Sequence, residues 1–172
     1  MGHYLCVMSF RILIFVLALL FSCCYTFKGI SIDPDINTYF VQTFETSAPN
    51  APPTLALEFT ERLKDKIRAE TRLRLLNNNP DVEFSGRVTG FTVTPVAPKP
   101  GEVVALNQLK VTLSVRYVNN KNESKSWKSE RTKSHFAEFS NTEDLLTVQD
   151  QLIKTILDQL LEDVFNEAFN DW

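Results

Sequence analysis

Few side chains in this 172-residue sequence could carry out chemistry, and they do not gather into a reactive set. Beyond Cys24 there is a single histidine, His135, and no cysteine. General-base and metal sites need several converging partners, so a lone His beside Phe136 in an alternating stretch reads as a strand residue. No HExxH or GxSxG pattern occurs, and Gly29, Gly86, Gly90 and Gly101 are too scattered to form a phosphate-cradling loop. These absences predict a non-enzymatic protein without metal or cofactor. The acidic net charge of -3 argues against a nucleic-acid partner.

One cysteine nevertheless stands where chemistry is done to the chain. Arg11 is followed by the apolar run Ile12–Phe21 and then by Ser22-Cys23-Cys24. A basic flank and an apolar stretch of about ten residues make a secretory signal, because a membrane span needs about 20. Leu20-Phe21-Ser22-Cys23 puts Leu three before the cysteine and Ser directly before it, the arrangement in which bacteria acylate the Cys and cleave ahead of it. Cys24 has Phe21 at minus three and fits less well. A disulfide between adjacent cysteines is geometrically poor. The expected organisation is a signal peptide over 1–22, a lipidated tether over 23–36 and one domain over 37–172. No Asp or acidic cluster follows Cys23, so the expected site is the outer membrane, facing the periplasm.

A second group of chemically capable residues is set apart by charge. Between Lys110 and His135, seven basic residues stand against Glu123 and Glu130, whereas Asn141–Trp172 holds eight acidic residues and only Lys154. Lys125, Trp127, Arg131 and Lys133 share one parity of a strand expected around 124–136, with Arg116 on the strand before it. Cations beside an indole suit phosphates on an amphiphile. Alternatively, the lysines discourage sheet-to-sheet pairing at an edge.

The elements that must position these residues follow from periodicity. Tyr39, Val41 and Thr43 alternate with Phe40, Gln42 and Phe44 as a first strand. After Ser47–Pro53, Leu55, Phe59, Leu63 and Ile67 recur at helical spacing, with Thr54 as cap. Val82, Phe84, Gly86 and Val88 alternate, but Phe91 and Val93 are out of phase with them, which calls for a β-bulge near Gly90. Leu109, Val111, Leu113, Val115 and Tyr117 form a third strand, and Asn119–Asn122 turns into the fourth. Ser140 and Glu143 form a capping box for a helix over 142–170. The expected fold is α+β: a four-stranded mixed sheet, two amphipathic helices on one face, order β-α-β-β-β-α.

In the last helix, apolar pairs repeat every four residues from Leu152-Ile153 to Ala168-Phe169. Each step of four advances about 40° around a helix, so the stripe rotates by about 160° over four steps. Either the helix wraps a twisted sheet, or its end offers Phe165, Phe169 and Trp172 to another protein.

Cys23–Gly29, Phe84-Ser85-Gly86-Arg87-Val88-Thr89-Gly90-Phe91, Thr94–Ala97, Ala105–Leu109 and Phe165–Phe169 with Trp172 together resemble the LptE family as it occurs in Bacteroidota. That resemblance implies an outer-membrane lipoprotein that plugs and stabilises the β-barrel translocon LptD, which inserts lipopolysaccharide into the outer leaflet. It also implies the two-helix, four-stranded fold. Cys24 stands where the family usually has Gly, and Gln108 where a basic residue is expected. The other reading from the residues is a free-standing periplasmic lipid-binding or transport-auxiliary lipoprotein.

Overall fold

The computed structural model describes residues 32–97 and 105–169; the expected signal peptide, Cys23 and Trp172 lie outside them. The chain runs β1 (Thr38–Val41), β2 (Glu45–Thr46), α1 (Leu55–Glu70), β3 (Arg74–Leu75), β4 (Val82–Val96), β5 (Leu106–Asn119), β6 (Arg131–Ser140) and α2 (Leu145–Phe169). The mixed α+β class holds, but the sheet has six strands where four were expected. Its order is β3-β1-β4-β5-β6, with β2 also paired to β4. The two extra strands are two residues long, too short to leave a periodic trace.

β1 and β2 run parallel to β4, as a chain returning through a helix must, whereas β4, β5 and β6 form an antiparallel meander. The expected first strand breaks because its phase changes: Tyr39, Val41 and Phe44 are buried, and Thr43 is not. The Phe44 amide donates to Thr60 Oγ1 of α1 at 2.9 Å, and its ring meets Phe59 edge-on with centroids 4.9 Å apart. Gly86 makes room for that ring. A Cβ there would lie 2.6 Å from the Phe44 ring and 2.3 Å from the Ser114 carbonyl oxygen.

The bulge expected near Gly90 is present: the β4–β5 register shifts between Val88 and Gly90, returning Phe91 to the inner face opposite Val111. α1 buries Leu55, Phe59, Leu63 and Ile67 as its spacing requires; Thr54 occupies the cap position without a side-chain hydrogen bond. α2 starts three residues later than expected. Glu143 does accept the Ser140 amide at 3.1 Å, but Asp144 Oδ1 caps the helix by accepting the Leu146 amide at 3.2 Å. Both helices lie on one face of the sheet, over a core that includes Val88, Leu113, Ile156 and Leu160, all fully buried.

Residues 32–36, read as the end of the tether, are part of the body. Ile36 is buried in the core and Ile32 packs against it. The Asp81 carboxylate accepts the Asn37 and Thr38 amides, both at 2.9 Å, joining the start of β1 to the start of β4. The Asn37 amide bond does most to hold this carboxyl below its usual range, against the opposing effect of burial and with help from Thr38 and Lys121.

Gly86→Ala should lower stability by about 1–3 kcal/mol, since either the Phe44 ring or a backbone carbonyl must move. Gly90→Ala, whose Cβ meets only the Thr112 side chain closely at 3.1 Å, should cost less. Denaturant unfolding measures both, and equal losses would show that the Phe44 seat is unimportant.

Candidate functional site

β6 begins at Arg131, later than expected, because Asn119–Glu130 is not a tight turn. Asn119 Oδ1 accepts the Lys121 and Asn122 amides at 3.0 and 2.8 Å, Glu123–Lys125 forms a 3-10 turn, and the Trp127 amide returns to the Tyr117 carbonyl at 3.1 Å. Lys125 and Trp127 are therefore loop residues, and the shared strand parity assumed for them does not exist.

The loop nevertheless brings four of the five candidate cation-and-indole residues to one end of the molecule, at the C-terminal turns of α2. Trp127 is buried there, its ring 5.7 Å from that of Tyr117 and capped by the Arg131 guanidinium at 4.7 Å. Arg131 and Lys133 project to the helix-covered face, since their β5 partners Val115 and Leu113 point there. Both pair with Glu167, and Lys125 pairs with Asp33 at 3.0 Å. His135 follows the same parity, with Nε2 2.8 Å from Asp163 Oδ2. The basic strand thus meets the acidic helix of its own chain.

The other edge of α2 is matched in the same way: Asp158 takes Arg62 of α1 at 2.9 Å, and Glu162 takes Lys66 at 2.6 Å. The acids recur at i, i+4 spacing on both flanks of the apolar stripe, 158 and 162 toward α1, 163 and 167 toward β6. The charge segregation seen in the sequence is therefore, in large part, complementarity within one fold. Phe165 and Phe169 are also internal. They are 1 % and 4 % exposed, and Phe169 packs on Phe84 and Phe165. Of the two readings of the stripe, these two rings follow the first, a helix that wraps the sheet: the rotating stripe follows the sheet and α1 to its last turn.

Arg116, the fifth candidate, lies apart from the others. It stands on the face of the sheet opposite the helices, in a field of short hydroxyl side chains such as Thr92, Thr112, Thr132 and Ser134. Ser114 Oγ and Arg87 engage Glu130 on this face, at 2.5 and 2.9 Å, and the Ser114 hydrogen bond does most to hold that carboxyl below its usual range. Among the described residues, neither Arg116 nor Lys110 makes a side-chain hydrogen bond or close ion pair, though the Arg116 charge also helps to hold the Glu130 carboxyl down. Lys110 sits directly across from Phe136, which is 54 % exposed. Lys110 shares the parity of Arg116 in the sequence, alternating with Leu109, Val111, Leu113 and Val115, and the strand register places both on the open face. No group of three or more metal-ligating side chains is present among the described residues. Nor, among them, is any helix long and apolar enough to cross a membrane.

Partial burial acts to raise the Glu167 pKa, but hydrogen bonds and charge from Lys133 and Arg131 outweigh it and hold the carboxyl below its ordinary 4.5. A depressed carboxylate stabilises the fold fully above its unfolded value and loses that contribution as pH falls through the folded one. Glu167→Gln should therefore cost about 1–2 kcal/mol at neutral pH and flatten the loss of stability below about pH 4.5. Thermal melts across pH 3–7 read this, and parallel profiles for variant and wild type would refute it.

Structural likeness is broad and sequence likeness is low. A Helicobacter pylori protein described as a putative neuraminyllactose-binding hemagglutinin homolog matches with TM-score 0.53 at 8 % identity, over 85 % of this chain and 90 % of its own. Protein XCC0632 from Xanthomonas campestris matches with TM-score 0.53 at 6 % identity, over 81 % and 90 %. The hypothetical protein CT253 from Chlamydia trachomatis matches with TM-score 0.51 at 11 % identity, over 77 % and 98 %. At these identities the likeness is one of fold. No curated protein matches the sequence. The LptE family model, described as lipopolysaccharide assembly, matches residues 36–168, from the first buried isoleucine to the last turn of α2, and the chain belongs to that family.

Proposed function

We propose that this protein is a non-enzymatic outer-membrane lipoprotein, acylated at Cys23 and facing the periplasm, that plugs and stabilises an LptD-type β-barrel and assists insertion of lipopolysaccharide into the outer leaflet. The family match over residues 36–168 carries this reading. The tightly filled interior, with Phe59, Leu63, Val88 and Leu160 fully buried, suits a rigid barrel insert better than a carrier that must open an apolar cavity for acyl chains. Solubilised in detergent, the protein should co-purify with a very large β-barrel. Recovery alone, with bound lipid, would favour the free-standing carrier.

Lipid A phosphates need cations that are not already neutralised. Arg131, Lys133 and Lys125 face Glu167 and Asp33, so a phosphate reaching them would have to displace an internal carboxylate. On the open sheet face Lys110 carries no such cost, and Arg116 is drawn to Glu130 only through space, with no direct contact to break; its guanidinium can engage a phosphate bidentately. Replacing Arg116 and Lys110 by Gln should change stability by less than about 0.5 kcal/mol and weaken lipopolysaccharide binding, with a shallower salt dependence. Replacing Arg131 and Lys133 by Gln should lower the melting temperature instead. Equal lipopolysaccharide affinity in the Arg116/Lys110 variant and wild type at low salt would leave barrel support as the main role. Cys23→Ala should leave the precursor unacylated and uncleaved, which mass spectrometry of the membrane fraction reads; acyl mass found on Cys24 would contradict the assignment.

A further inference from the structure

We infer that, while the domain is outside the barrel, its rim formed by Arg74, Leu75 and Leu76 rests on the lipid surface to which the chain is tethered. This rests on acylation of Cys23. Leu75 and Leu76 are 51 % and 43 % exposed, two adjacent large apolar side chains on the β3 edge of the sheet. Arg74 beside them makes no side-chain hydrogen bond or ion pair among the described residues. Leucines that enter the headgroup boundary, with an arginine reaching lipid phosphate, are the chemistry of interfacial attachment.

The length of the tether chooses this face. The edge strand runs alongside the segment by which the chain enters the fold: the Arg74 amide donates to the Asn37 carbonyl, the Leu76 amide to the Tyr39 carbonyl, and the Arg72 guanidinium to the Asp33 carbonyl at 2.7 Å. Ile32 follows Cys23 by nine residues, which can span at most about 32 Å. A body of this size is about 35–40 Å across. The far end, where Leu146 is 78 % exposed, lies the length of α2 away, about 35 Å. The Leu75 and Leu76 rim lies beside the segment by which the chain enters the fold, whereas turning Leu146 to the bilayer would ask nine residues to span more than their full length.

The test uses the mature acylated protein, Cys24→Ser, in vesicles of phosphatidylethanolamine and phosphatidylglycerol, with a nitroxide attached through Leu76→Cys or, separately, Leu146→Cys. The ratio of oxygen to nickel-chelate accessibility should be severalfold higher at position 76 than at 146. Equal, fully aqueous ratios in protein that floats with the vesicles would overturn the inference while leaving the anchor intact. Protein that fails to float would overturn the anchor and the inference with it. Shielding at position 76 that arises only when the purified β-barrel is added would assign the rim to protein and overturn the lipid assignment.

Discussion

The fold depends on the seating of α2. Its apolar residues, recurring in steps of four, leave a straight stripe within two turns, so only a curved bed of side chains can cover them all. The twisted sheet and α1 supply that bed, and the apolar pairs from Leu152-Ile153 to Val164-Phe165, with Phe169, are buried in it. Acids on both flanks then fix the helix sideways, Asp158 and Glu162 against α1 and Asp163 and Glu167 against β6. Burial is non-directional and would tolerate a rolled or slipped helix. The two charge rows remove that freedom, because a slip of one residue separates every pair.

What could be read from the sequence was whatever repeats. The α1 stripe, the alternation in β4 and β5 and the phase change at Gly90 each leave a periodic mark, and the structure returns all three. What could not be read depends on contacts distant in sequence. The break after Val41 arises because Phe44 fills the space beside Gly86, and neither residue signals the other. Lys125 and Trp127 looked like strand residues because extrapolating parity through Asn119–Glu130 ignores the hydrogen bonds that Asn119 makes within the turn. The basic and acidic segments were visible as compositions, but that each neutralises the other is a fact of register. Family membership was legible for a different reason: short motifs in a fixed order persist where overall identity does not.

The two faces of the sheet consequently have different characters. The helix-covered face is self-sufficient: apolar at its centre, ion-paired at its margins. The open face is clad in hydroxyls, with Lys110 left uncommitted, Arg116 held only by its attraction to Glu130, and Phe136 exposed between the short side chains. A surface of this kind holds little binding energy of its own, but it is flat, wettable and rigidly backed, and it can offer directed hydrogen bonds without rearranging.

The way the chain enters the fold has a mechanical consequence. Any pull on the residues upstream of Ile32 reaches the body at Asp33–Asn37, and there the chain is gripped from three directions: by Lys125 through the Asp33 carboxylate, by Arg72 through the Asp33 carbonyl and by Asp81 through the amides of Asn37 and Thr38. The load is shared among the hairpin loop, the end of α1 and the start of β4 before it arrives at β1. The grip works as a strain relief, sparing the short parallel pairing of β1 with β4, which has only three register partners to resist peeling.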